Sequence, residues 1–347
     1  MSTSSSSKPA RPARWKNALK NLALFAAMFL LCGMVAEGVL RLMGYGNLEI
    51  YEPDPLLYWR LKPNQNCYTK VNHQPVRINA HRTRGAEFST AKPADTLRII
   101  SFGDSRTFGW GLREEETYSS LLQQRLQEQF GPRKKIEVIN AGVNAWGFPQ
   151  MTIFLREHAL QWQPDLVIMG DGNLWTQFSE KQDAEFVRQF ARRVWWKNFL
   201  RHFALYHFVI EVQLQEFYAR YRSNFIPVDP HQDPLFKEQQ QKDPSAFFRQ
   251  SIETFCLTAR SNGVPTLLLY FPPQEALLTT NNQFAVVRQA KEEVSQKLSV
   301  PLLDPTPDLR PRANELYLEA DPVHLNATGN KIIGQRLFEA VSPLLKP

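Results

Sequence analysis

Little in this chain could serve as a covalent or metallic frame. Only three of its 347 residues are cysteine, which excludes the disulfide scaffold of a small secreted domain. Cys32 falls in an apolar run. That leaves Cys67 and Cys256, which could bridge, although a buried Cys256 on a helix beside a separate Cys67 is the reading adopted. No histidines, cysteines and carboxylates stand at metal-ligand spacing: His73 and His81 have no acidic or cysteine partner nearby and read as surface residues. Glycine is sparse, at 16 residues. Gly109-x-Gly111 has no third glycine to complete a dinucleotide fingerprint, no phosphate loop occurs, and no internal repeat is found. Neither a cofactor nor a metal is expected.

The formal charge of +7 would suit nucleic acid if it were spread over a surface. Instead Lys8, Arg11, Arg14, Lys16 and Lys20 crowd into the first twenty residues, which hold no acidic residue. The rest is close to balanced, and nucleic acid is not an expected partner.

Behind that basic stretch (residues 1–17) the chain turns apolar from Leu22 to Val35 and on through Val39, Leu40, Leu42 and Met43. Residues 18–43 approach the roughly 20 that a bilayer crossing needs. Basic residues on the N-terminal side predict a cytoplasmic N-terminus and an exported remainder, that is, a single-pass anchor with the globular part outside the cytoplasm. A cleaved signal peptide is the rival. The match at Ala36-Glu-Gly38 is poor, the apolar pattern continues past it, and Leu31 before Cys32 is too large for a lipoprotein site.

Residues 44–95 are rich in Pro, Asn and Tyr with little periodicity and read as a connector over the domain surface. From about 96 to the end, strand and helix patterns alternate. Strands are predicted at Leu97–Phe102, Lys135–Asn140, Asp165–Met169, Thr266–Phe271 and Val300–Leu303. Helices are predicted at Thr117–Phe130, Met151–Leu160, from Asp243-Pro244 to Asn262-Gly263, over about 283–298, and from about Ala327 to Val341. This alternation predicts an α/β protein: a three-layer α/β/α sandwich on a parallel sheet.

The first strand runs into Gly103-Asp104-Ser105, so Ser105 sits at a carboxyl edge, where open α/β sheets hold their ligands. Near the end of the chain, Asp321-Pro-Val-His324 precedes a helix that Asn326 can cap. A serine hydroxyl needs an imidazole to take its proton, and the imidazole needs a carboxylate to fix its tautomer. Ser105, His324 and Asp321 supply those roles. Two further strand-edge loops offer donors for a developing oxyanion: the amide of Gly142 and the side chain of Asn173, beside the amide of Ser105 itself.

These motifs resemble those of the SGNH or GDSL hydrolase superfamily, in its membrane-anchored bacterial form, over about Leu97 to Ala340. Gly103-Asp104-Ser105 resembles the first block, Gly142 in NAGVN the second and Asp321-x-x-His324 the fifth. The resemblance implies that Ser105 is the nucleophile, that His324 and Asp321 complete a triad, and that Ser105, Gly142 and Asn173 form the oxyanion hole. The third block, usually Gly-x-Asn-Asp, here reads GDGNLW, which leaves Asn144 as the alternative to Asn173. Arg106, next to the serine, is expected to do no chemistry.

Residues 175–242 are read as a helical insertion. Aromatic residues (Phe186, Phe190, Trp195, Trp196, Phe199, Phe203, Tyr206, Phe217, Tyr218, Tyr221) interleave there with Arg188, Arg192, Arg193, Lys197 and Arg201 at helical spacings. The insertion is either a lid or membrane-interface helix, or helices packed on the domain with a solvated basic face. His202 and His207 within it are expected to pack rather than bind metal. The expected activity is that of a serine esterase or deacetylase acting on acylated carbohydrate or lipid-like esters. An O-acyltransferase modifying cell-envelope polysaccharide with the same triad, and a catalytically silent glycan-binding or assembly protein, are the alternatives.

Overall fold

The computed structural model describes residues 14–49, 51–69, 71–131, 134–173, 184–213, 243–279, 285–319 and 321–345. Phe217, Tyr218 and Tyr221 of the expected insertion lie outside the described residues. The first helix, α1 (Arg14–Leu42), carries the apolar run. Its span Trp15–Leu42 is long and apolar enough to cross a membrane; the most apolar window is not covered by the rest of the chain, whereas Leu40 near its end is buried.

Residues 44–95 are not the unpatterned connector expected. They form two antiparallel hairpins, β1 (Tyr51–Asp54) with β2 (Tyr58–Leu61) and β3 (Gln65–Tyr68) with β4 (Pro75–Ile78). The signal was weak because each strand is only four residues long, and prolines at 53 and 75 and positive-φ residues such as Tyr58, Asn64 and Asn72 break the alternation. Their burial is extensive all the same: Leu57, Tyr58, Trp59, Leu61, Cys67, Val76 and Ile78 belong to the main core. Cys67 and Cys256 are both free and buried, and desolvation pushes each thiol up to about 12. His73 and His81 are half-buried rather than on the surface, stacked on Tyr68 and Phe88.

Then comes β5 (Thr96–Gly103), every residue of it buried. It is followed by α2 (Ser105–Phe108), α3 (Tyr118–Phe130), β6 (Lys135–Gly142), α4 (Phe148–Phe154) and β7 (Leu166–Met169). Next are α5 (Ala184–Arg201) and the short α6 (Ala204–Tyr206), then α7 (Pro244–Ser261), β8 (Thr266–Leu269), α8 (Ala285–Leu298), β9 (Leu302–Leu303), β10 (Tyr317–Leu318), β11 (Asp321–Leu325) and α9 (Ala327–Val341). The stretch around Asp321 is thus a strand paired antiparallel with β10.

The sheet order is β6-β5-β7-β8-β9, all parallel. Burial on both faces explains why the strands read as continuous apolar runs. Ile100, Phe102, Val167 and Leu268 point to one side, against α4, α7 and α8. Leu97, Ile99, Ile168 and Leu267 point to the other, against α3 and α9. The outer edge of β6 is closed by side chains: Ile136 N–H donates to Gln127 Oε1 (2.9 Å) and Val138 N–H to Gln123 Oε1 (2.8 Å). At its carboxyl end, Arg84 N–H donates to Asn140 O (3.1 Å), which attaches the second hairpin to the sheet.

Candidate active site

The turn carrying Ser105 is built by its neighbours. Asp104 N–H donates to Asp171 O (3.0 Å), and Asp104 Oδ1 accepts from Arg106 N–H (2.9 Å), capping α2. Ser105 is the first residue of that helix, and its own N–H has no hydrogen-bond partner among the described residues. Glycine is required just before it. A Cβ on Gly103 would lie 2.0 Å from Thr107 Oγ1.

His324 and Asp321 come from the far end of the chain. β11 brings His324 Nε2 to 2.7 Å from Ser105 Oγ, and Asp321 Oδ2 lies 2.6 Å from His324 Nδ1. With Nδ1 donating to the carboxylate, Nε2 is the acceptor for the serine hydroxyl. Burial favours protonating Asp321, but the hydrogen bond and charge of His324 and the amides of Val323 and His324 outweigh it and hold the carboxyl below its ordinary value. Asn326 anchors the strand from behind: its side chain caps α9 at Thr328 and Gly329 and donates to Glu315 O (2.7 Å). The Trp110 ring lies 6.1 Å from the imidazole.

Beneath the serine lies a buried charge network that the sequence reading overlooked. Arg106 donates through Nη2 to Asp104 Oδ2 (2.7 Å) and through Nη1 to Asp171 Oδ2 (3.3 Å). It also donates to Gly172 O (3.2 Å). Lys291, fully buried, pairs with Asp171 and donates to Leu269 O. Burial pulls the Arg106 guanidinium down, yet the two aspartates raise it above its ordinary value; burial lowers the Lys291 ammonium in spite of Asp171. A signal existed in α8, where Lys291 shares the buried stripe of Val287, Ala290 and Val294.

The expected oxyanion donors are placed less evenly. Gly142 ends β6 in register with Gly103, and a Cβ there would meet Phe108 N at 2.3 Å, so it packs directly on α2. Its amide, however, donates to Asn140 Oδ1 (3.0 Å) because that side chain folds back over the strand end. Asn173 follows the Asp171 loop, and its amide donates to Trp146 O (2.7 Å). Asn144, the alternative, turns its Nδ2 to Tyr51 Oη (2.6 Å). His202 O accepts from Arg41 Nη2 (2.9 Å), and buried His207 takes Gly46 N–H on Nδ1 (3.0 Å). Among the described residues no cluster fit for a metal occurs.

A parallel α/β/α sandwich whose strand edge carries a serine, an imidazole and a carboxylate in hydrogen-bonded series has the build of an esterase. The model of the GDSL-like lipase/acylhydrolase family matches residues 101–332, well over half of the chain. The chain belongs to that family, which makes it an ester hydrolase by class. No curated protein matches its sequence. Among solved structures, it is similar to a lipase/acylhydrolase from Enterococcus faecalis (16% identity, TM-score 0.43, covering 72% of this chain and 98% of that one). It is also similar to TesA (15%, 0.44, 72% and 100%) and to a catalytic mutant of the acetylxylan esterase Axe2 from Geobacillus stearothermophilus (14%, 0.42, 71% and 94%).

Proposed function

We propose that this protein is a membrane-anchored, extracytoplasmic serine esterase or deacetylase acting on acylated carbohydrate or lipid-like esters. The observation that carries the reading is the unbroken series Ser105 Oγ, His324, Asp321, with links of 2.7 and 2.6 Å. Ser105 Oγ attacks the ester carbonyl as its proton passes to His324 Nε2, and Asp321 stabilises the imidazolium. The same proton then goes to the leaving alcohol, and a water activated by His324 releases the acid. The amide of Ser105, unpartnered at the start of α2, and the side chain of Asn173 are assigned to the oxyanion. Gly142 joins them once its amide leaves Asn140. Each such donor is typically worth ~100 to 1,000-fold in rate.

The anchor is assigned to α1, with Lys16 and Lys20 on the cytoplasmic side of an inner membrane and the sheet domain on the other. The reading toward acetylated sugars is supported by a solvent-reachable site, in which His324 and Asp321 remain 16% and 25% exposed beside the Trp110 ring. The test is acyl release by the full chain in detergent from short- and long-chain esters and acetylated oligosaccharides, beside Ser105→Ala. Turnover lost in the variant is expected. Equal inertness of both proteins, with a sugar acceptor also supplied, would overturn the reading, and acyl transfer to that acceptor would replace hydrolysis by transfer.

A further inference from the structure

α5 buries one stripe and leaves another bare. Val194, Asn198 and Arg201, at helical spacing, face the first hairpin: Tyr51 N–H donates to Asn198 Oδ1 (3.2 Å), and Arg201 lies against Glu49. The opposite stripe is aromatic and open to solvent. Trp195 and Trp196 are 60% and 59% exposed, followed by Phe199 and Phe203, and the rings stack on one another rather than on the domain. Leu205, Val209 and Ile210 extend this exposed apolar surface past α6. Exposed large apolar side chains gathered in this way mark an interaction surface.

The patch lies beside the end of α1. Glu37, one turn before the end of α1, accepts from the amides of Ala204 (3.0 Å) and Leu205 (2.9 Å), and Arg41 Nη2 donates to His202 O (2.9 Å). From Lys20 to Arg41 an α-helix rises about 30 Å, the thickness of a hydrocarbon core. The patch is therefore fixed at the level where α1 leaves that core. Among the described residues of α5, Arg188, Arg192, Arg193 and Lys197 lie exposed beside the aromatic face and are basic, the sign of charge favoured near anionic headgroups.

We propose that the face formed by Trp195, Trp196, Phe199, Phe203, Leu205 and Ile210 docks into the headgroup–acyl boundary of the leaflet from which α1 emerges. Aromatic rings with a basic flank favour that layer. The inference rests on reading α1 as an anchor. Docking holds the esterase domain against the membrane in one orientation. The tie reaches the site, because Tyr51 also takes the Asn144 side chain two residues beyond Gly142.

The test is nitroxide accessibility in the full chain, reconstituted in phosphatidylethanolamine/phosphatidylglycerol vesicles. Single labels are placed by Phe199→Cys, Trp196→Cys, Leu257→Cys and Phe29→Cys in a Cys32→Ala background; Cys67 and Cys256 are buried. Labels at 199 and 196 are expected to favour oxygen over a nickel chelate, as a label just inside the headgroups does. Leu257, exposed on α7, reports water, and Phe29 reports the bilayer centre. Water-like values at 199 and 196 with a deep label at 29 overturn docking and leave the anchor standing. Water-like values at 29 as well overturn both. Labels at 199 and 196 closed to both reagents mean a protein covers the face, which also overturns docking.

Discussion

Asp321 does two things through two oxygens: Oδ2 meets His324 Nδ1, and Oδ1 accepts the amides of Val323 (2.9 Å) and His324 (3.2 Å). Because its carboxyl is held below the ordinary value, its contribution to stability is complete above the unfolded value, about 3.9, and is lost as pH falls through the folded one. Acid denaturation below about pH 4 should accordingly be steeper for the wild type than for Asp321→Asn, compared by circular dichroism. The same variant leaves the imidazole without the partner that fixes its tautomer, and its turnover is expected to fall by roughly 10⁴-fold. Lys291 and Asp171 form the other decisive pair. Removing either alone, by Lys291→Met or Asp171→Asn, strands a buried charge and is expected to cost about 3–5 kcal/mol in urea denaturation. The double variant should lose clearly less than the two added together, since each single change already forfeits the shared interaction.

The elements that matter most are short ones held by neighbours. α2 is four residues long and owes its place to close backbone approach, Gly142 lying against Phe108. Gly142→Ala places a methyl against backbone atoms that cannot yield without moving α2. The expected cost is about 1–3 kcal/mol of stability, with most of the esterase activity, measured by denaturation and initial rates. Among the described residues β11 pairs only with the two-residue β10, so Asn326 is its second support. Asn326→Ala is expected to cost about 1–2 kcal/mol through the lost cap. Its kcat should fall more than its KM rises, since His324 loses its fixed approach to Ser105.

Across the whole molecule, the two hairpins are part of the core rather than a tether to it. Trp59 Nε1–H donates to Asn144 O (3.0 Å), Trp146 Nε1–H donates to Trp59 O (2.9 Å), and Gln150 Nε2–H donates to Leu57 O (2.9 Å). A chain starting at residue 96 would uncover Trp146 and leave these polar groups without partners. It is expected to lose its near-ultraviolet circular dichroism and to aggregate, whereas one starting at residue 46 keeps a cooperative thermal transition.

Several elements have strong local codes. Fully apolar strands, the helix caps at Asp243 and Asn326, and the long apolar run of α1 were legible because each is written in adjacent residues. The Ser105 turn and the Asp321-x-x-His324 motif were legible for the same reason. The folded chain alone brings these two, 219 residues apart, to 2.7 Å from each other. It also decided that the 44–95 stretch folds into the core, that Arg106, Asp171 and Lys291 neutralise one another beneath the serine, and that the Gly142 amide is turned to Asn140. The physical reason is common to all of them. Burying a charge or an unpaired amide is costly unless a partner arrives from elsewhere in the chain, and no pattern of neighbouring residues records which partner that is.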